Sequence, residues 1–284
     1  MNAARNRTLV MIPTYNERRN VGPLLDQILQ QGDDFDILFI DDNSPDGTGE
    51  ILDELAVQHP KRVRVLHRAG RQGVGSAHKF GIRWAYANGY SELITMDSDF
   101  AHPPLYIPRL RAAAENYDVV VGSRYIEPDS LADWTPFRKI LTRVGHFLTV
   151  TLLRMPYDAT GAFRFYRLDH VPASAFTLVR SEGYSFFFES LYLLSANGFG
   201  VGQIPIHVLN RTAGESKMRT RDVATSVRFL LVLCAEKYLR PSRHRITVLA
   251  RRRPATGPAN RRRLRHAANP FRYRSSDTGR PQRL

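Results

Sequence analysis

Two carboxylates two residues apart, Asp97 and Asp99 around Ser98, close the apolar run Leu93-Ile94-Thr95-Met96, which reads as a buried strand. Where a strand opens into a loop, such a pair can reach one hard cation. A divalent ion of the Mg or Mn type takes one or two carboxylates together with diphosphate oxygens. An ion held there offsets charge on a departing nucleoside diphosphate. A lone Asp-x-Asp is equally at home in a solvated loop. Two further turns change the balance: Pro13-Thr14-Tyr15-Asn16-Glu17 follows the apolar run at 9–12, and Asp41-Asp42-Asn43-Ser44-Pro45-Asp46-Gly47-Thr48 follows the one at 36–40. Each is explicable as turn chemistry. Three such turns on one sheet edge present acids and amides able to hydrogen-bond a base and ribose beside the metal pair.

The second half of the chain supplies cations. Arg124 follows the run Val119-Val120-Val121-Gly122, Arg138 begins a basic apolar stretch, and Arg211 and Lys217 bracket residues 212–216. Guanidinium forks bind phosphate bidentately and Lys adds a point charge, although many surface arginines bind nothing specific. Glu189 is the one late acid considered as a general base, and a structural acid is the preferred reading for it.

These groups need a scaffold. Strand-like runs at 9–12, 36–42, 63–66, 92–97 and 118–122 alternate with helix-like stretches at 20–29, 48–56, 75–87 and 104–115. The alternation predicts an α/β fold with a mostly parallel central sheet, flanking helices and right-handed crossovers. Ligands in such sheets sit at the carboxyl ends of the strands, where the Asp residues fall. Residues 134–155 carry Ile140, Leu141, Val144, Phe147, Leu148, Leu152 and Met155 at helical spacing beside Arg138, Lys139, Arg143 and Arg154. A core-facing helix and a basic amphipathic helix lying on a membrane both fit. Residues 218–240 repeat the pattern.

Charge divides the chain. Of 41 Lys and Arg residues, 14 lie from Arg240 onward with a single acid, Asp277, which leaves 27 basic and 26 acidic residues before them. The expected organisation is a folded domain at 1–240 and a basic, disordered tail at 241–284. Clustered Arg holds a protein on anionic lipid at about 1 kcal/mol per residue near the surface; nucleic-acid binding and a solvated tail share that composition. The lone Cys234 cannot form an internal disulfide, which fits a reducing compartment. No signal peptide and no run of about 18 apolar residues is visible. The expected location is the cytoplasm, with peripheral association at the cytoplasmic face of the membrane.

Pro-Thr-Tyr-Asn-Glu at 13–17, Asp-Asp-Asn-Ser-Pro-Asp-Gly-Thr at 41–48, Asp-Ser-Asp-Phe-Ala-His-Pro-Pro at 97–104, Gly-Ser-Arg-Tyr at 122–125 and Gly-Glu-Ser-Lys at 214–217 resemble the ordered motifs of family 2 glycosyltransferases. The dolichyl- and polyprenyl-phosphate mannosyltransferases resemble them most closely, and the likeness covers residues 8–218. The resemblance implies a GT-A type nucleotide-sugar-binding fold and inverting transfer of a hexose, with mannose from GDP-mannose onto a polyprenyl monophosphate as the leading expectation. Another nucleotide sugar, UDP-glucose or UDP-GlcNAc, or a hydroxyl acceptor is the alternative. It further implies that Pro13, Tyr15, Glu17, Ile40 and Asp42 hold the nucleotide, with Ser98 beside the diphosphate. Asp97 and Asp99 would hold the divalent metal. Arg124, Arg138, Arg211 and Lys217 would meet the donor diphosphate and acceptor phosphate, and Asp99 and Arg124 would be catalytic. The implied partners are the nucleotide-sugar donor, the polyprenyl-phosphate acceptor and an anionic membrane surface reached through the tail and amphipathic helices, with no nucleic acid. Two departures stand out: Ala101 replaces a Gln that helps hold the metal, and Thr160-Gly161-Ala162-Phe163-Arg164 replaces Thr-Ser-Gly-Phe-Arg.

Overall fold

The computed structural model describes residues 7–132, 134–209 and 220–246. In chain order the elements are β1 (Thr8–Thr14), α1 (Val21–Leu29), β2 (Phe35–Asp41), α2 (Thr48–Gln58), β3 (Val63–His67), α3 (Val74–Ala87), β4 (Glu92–Thr95), a 3-10 turn (Pro104–Tyr106) running into α4 (Ile107–Ala114), β5 (Val119–Ser123), α5 (Pro136–Leu153), β6 (Arg164–Arg167), α6 (Ser174–Thr177), α7 (Ser185–Ala196), β7 (Val201–Pro205), α8 (Thr220–Leu239) and a second 3-10 turn (Pro241–His244).

The strands form one sheet in the order β3-β2-β1-β4-β6-β5-β7. β1 pairs in parallel with both β2 and β4, β2 with β3, and β5 with β7; β6 alone runs antiparallel, between β4 and β5. The α/β, mostly parallel expectation therefore holds. β1 and most of β2 are buried because helices cover both faces, so their sequences are continuous apolar runs without alternation. α1 buries Val21, Leu24, Leu25 and Ile28 at helical spacing. α3 lies so close to β1 that a Cβ on Gly81 would come within 2.0 Å of Met11 Sδ; only glycine permits that approach.

The strand order reverses beside β1, and a crevice opens there at the carboxyl ends, the place where such sheets bind ligands. The chain beyond Arg240 does not leave the domain at once. Asn197 receives Ile246 N–H on its Oδ1 at 2.8 Å and donates Nδ2 to the His244 carbonyl, so residues 241–246 pack on the domain rather than belonging to the expected tail. The rest of the tail lies outside the described residues.

Candidate active site

The loops after β1 and β2 are stitched into one unit. Asn16 N–H donates to Ser44 Oγ, Glu17 N–H to Thr48 Oγ1, and Arg18 N–H to Asp46 Oδ2, at 2.9, 2.9 and 3.2 Å. Asn16 and Asn43 adopt positive φ, which Asn tolerates better than most residues. Asp41 is consumed internally, accepting from Thr14 Oγ1 and from Ser44 through both N–H and Oγ. Asp42 is turned to the crevice and paired: Arg68 Nη1 donates to its Oδ1 at 2.8 Å, with both side chains buried. Burial raises the Asp42 carboxyl above its ordinary value, more than the Arg68 charge lowers it. Arg68 is itself braced by Gln72 and Ser76.

After β4 the chain turns sharply through Asp97-Ser98-Asp99-Phe100. Asp97 N–H donates to His102 Nδ1 at 3.0 Å, so that ring nitrogen is the acceptor, and the ring stacks on Phe163 at 5.2 Å. Asp99 Oδ1 accepts Ala101 N–H at 3.1 Å. Phe100 sits at φ 62°, a strained conformation for an aromatic residue, held because its neighbours on both sides are fixed. Ala101 is buried in the core cluster, so its side-chain position faces packing rather than the crevice.

These loops line a single cleft of about 380 Å³ that gathers Pro13, Tyr15, Glu17, Asp42, Asp97, Ser98 and Asp99, the residues expected at the donor. The opposite wall was not anticipated. It comprises Arg71, Gly73, Val74, Gly183 and Tyr184, with Arg221 and Asp222 from the start of α8. Arg71 lies over the Tyr15 ring, 5.1 Å from its centroid. Gly73 has φ 96°, and a Cβ there would lie 2.5 Å from the Glu182 carbonyl, so this wall closes through a glycine. Arg68 and Arg71, in the glycine-flanked turn after β3, were the available signal: a fourth strand end bearing charge.

Ile40, expected at the nucleotide, does not line the cleft with its side chain. Its side chain is fully buried in β2 and packs toward α3, where a Cβ on Gly81 would meet its Cδ1 at 2.6 Å. Ile40 lies within β2, inside the sheet, whereas Asp42 follows the strand's last residue, Asp41, where the chain opens into the loop that lines the crevice. Arg124 and Arg138 do not line the donor cleft. Arg124 is gripped by the fully buried Asp158, Nε to Oδ2 at 2.7 Å and Nη2 to Oδ1 at 2.6 Å, and donates also to Thr160 Oγ1. Burial opposes the Arg124 charge, yet Asp158, Tyr125 and Asp97 together raise its pKa. Burial would raise Asp158, but Arg124 outweighs it and holds the carboxyl below its usual range. Arg138 stacks on Trp134 at 3.7 Å near the start of α5. Arg211 and Lys217 lie outside the described residues.

Glu189 is buried and accepts from Arg180 N–H, Ser181 N–H and Ser181 Oγ. It braces the loop that leads to Gly183 and Tyr184, which agrees with the structural reading of this acid.

A family model described as Glycosyl transferase family 2 matches residues 9–186. The chain belongs to glycosyl transferase family 2. Within reach of it are the polyprenol monophosphomannose synthase of Mycolicibacterium smegmatis, 37% identical over 214 residues (75% of this chain, 81% of that protein), and the undecaprenyl-phosphate mannosyltransferase of Micrococcus luteus, 35% identical over 213 residues (75% and 87%). Among solved structures, the fold is similar to glucosyl-3-phosphoglycerate synthase of Mycobacterium tuberculosis in complex with Mn2+, UDP and glucosyl-3-phosphoglycerate. That likeness has a TM-score of 0.59 at 18% identity and covers 82% of this chain and 81% of that one. This family 2 chain is a glycosyltransferase, and most of its cleft is lined from within the matched range.

Proposed function

We propose that this glycosyltransferase moves a mannosyl group from a nucleoside-diphosphate mannose, GDP-mannose as the leading donor, onto a polyprenyl monophosphate at a membrane surface, with inversion. The observation that carries the proposal is the convergence of Tyr15, Asp42, Asp97 and Asp99 on one cleft. Both relatives are named for mannosyl transfer to a polyprenyl phosphate, which supports the same substrate pair.

In this reading Asp42 and Tyr15, both on the cleft, hold base and ribose. Asp97 and Asp99, hard oxygen donors two residues apart on one wall, fit a divalent ion of the Mg or Mn type, which when bound neutralises diphosphate charge. Among the described residues no third His, Cys, Asp or Glu joins them to make a metal-binding group, so water and diphosphate oxygens would have to complete the ion's shell. An acceptor phosphate oxygen attacks the anomeric carbon as the bond to the diphosphate oxygen breaks, and the nucleoside diphosphate leaves with that electron pair. A phosphate nucleophile is already anionic near neutral pH and needs no general base. Glu189, already committed to the 180–181 loop, favours this reading over a hydroxyl acceptor. Arg124, whose charge is coupled to that of Asp97, would supply positive charge as the two anions approach.

The acceptor's lipid requires a surface. α5 exposes Phe137, Ile140, Val144 and Phe147 along one side, with the exposed Arg143 beside them, while Thr149 and Leu153 face inward. α8 adds exposed Leu231 and Val232. Among the described residues no helix is long and apolar enough to cross a membrane, so these faces would lie on the lipid, with the basic C-terminal segment adding attraction to anionic headgroups. Incubating GDP- and UDP-sugars with undecaprenyl phosphate, with and without Mn or Mg, tests the whole proposal. A metal-dependent, organic-soluble, mild-acid-labile mannolipid is expected. A water-soluble glycoside instead would overturn the acceptor.

A further inference from the structure

Arg164 opens β6, with its backbone between Thr95 of β4 and Val121 of β5. Its side chain is fully buried, yet it forms no ion pair among the described residues. A guanidinium taken out of water without a counter-ion is costly unless its donors are met. Here they are met in a specific way. Nη2 donates to the Ala159 carbonyl at 2.8 Å and Nε to the Gly161 carbonyl at 2.9 Å, while Nη1 reaches Ser190 Oγ and Tyr166 Oη. The two carbonyls flank Thr160, whose Oγ1 accepts from Arg124, and Asp158, which grips Arg124, stands one residue before Ala159. The strap at 158–161 is tied at its ends as well: Asp158 N–H donates to Gln203 Oε1, and Thr95 Oγ1 donates to the Ala162 carbonyl.

We infer that Arg164 is a positioning residue that fixes the 158–161 strap by its two carbonyls and thereby sets Arg124 at the acceptor side of the reaction. The functional half of this rests on the proposed role of Arg124; the positioning half does not. The planar fork is what matters. A Lys keeps the charge but cannot span two carbonyls with fixed geometry. Neutral packing could not hold the strap either, because it would leave the Ala159 and Gly161 carbonyls without these donors.

The test uses the full-length protein. In Arg164→Lys, the Arg124 Nε–H resonance, assigned by its absence in Arg124→Lys, should lose its protection from solvent exchange. With GDP-mannose and undecaprenyl phosphate, kcat should fall on the order of tenfold to a hundredfold while donor KM moves by less than about twofold, since the strap lies outside the donor cleft. Placed in the Arg124→Lys background, Arg164→Lys should cost little more, because two residues acting through one contact are not additive. A protected Nε–H in Arg164→Lys overturns the inference whatever the activity, and so does a fully additive pair. Unchanged turnover in Arg124→Lys defeats the proposed role of Arg124 and leaves the strap to the resonance alone. Should Arg164→Lys fail to fold, Tyr166→Phe with Ser190→Ala frees only Nη1 and should weaken the same protection and lower kcat about threefold; no change in either refutes the idea.

Discussion

Arg124 and Asp158 form a two-bond pair, 2.7 and 2.6 Å, in which the carboxylate is wholly buried and the guanidinium nearly so. The residue expected to meet phosphate is thus already oriented before any substrate arrives, and the lost side-chain freedom belongs to folding rather than to binding. Asp158→Asn keeps the shape but removes the charge that holds Arg124. We expect a stability loss of about 3 kcal/mol from the unpaired buried cation, read by denaturant unfolding. Turnover should fall on the order of a hundredfold. Wild-type turnover in a folded Asp158→Asn protein would remove Arg124 from the mechanism.

Arg68 is the partner of Asp42 in a second buried pair. Arg68→Met takes away the charge that lowers the Asp42 carboxyl, while burial continues to raise it. Its pKa therefore rises further, and donor affinity should begin to fail at a higher pH on acidification than in the wild type. Nucleotide binding followed by calorimetry between pH 5 and 8 checks the direction, and an unshifted profile would contradict it.

Asp99→Asn retains an oxygen for the Ala101 N–H and so preserves the turn that carries Asp97. Its loss of charge should abolish the stimulation of transfer by Mn or Mg and weaken Mn binding measured with nucleoside diphosphate present. Undiminished metal dependence would place the ion elsewhere.

The gathering of Pro13, Tyr15, Asp42, Asp97 and Asp99 on one cleft was legible because these residues follow apolar runs at strand ends, so position along the chain predicts position in space. Asp42, Asp97 and Asp99 fall just past the carboxyl ends of the paired strands β2 and β4. The wall formed by Arg71, Gly183, Tyr184, Arg221 and Asp222 comes from segments far apart in sequence, and no local period joins them. Asp158 was missed for a related reason: its meaning lies in a contact with Arg124 across 34 residues. β6 is only four residues long, and α7 is buried over most of its surface, so neither presents clear alternation or an amphipathic stripe. The stretch at 134–155 was ambiguous between core and membrane because α5 has two unlike faces: Thr149 and Leu153 face inward, and Phe137 and Phe147 face out.

Phe137 and Phe147 are 78% and 65% exposed. Replacing both with Ser should leave the unfolding midpoint nearly unchanged, because little buried surface is lost. Binding to vesicles containing anionic lipid should fall at least about tenfold, since each apolar side chain buried contributes about 1.5–3 kcal/mol. Wild-type binding should also weaken with added salt. Equal co-sedimentation of both proteins would assign the exposed stripe to something other than lipid.

His78 supplies a pH dependence independent of the site. Its ring is buried between Phe186 and Phe187, with Nδ1 at 2.9 Å from the Val74 carbonyl and Nε2 without a partner among the described residues. Burial lowers its pKa from 6.5 to about 4. The unfolded chain therefore takes up a proton at a pH where the folded chain does not. Stability is fully present above pH 6.5 and drains as pH falls toward 4, at up to about 1.4 kcal/mol per unit. The integrated loss is about 3 kcal/mol. His78→Leu removes the titrating group, so its stability measured by urea unfolding should be flatter across that window than that of the wild type, whatever its absolute value. Parallel curves for the two proteins would mean that His78 is protonated in the folded state as readily as in the unfolded one.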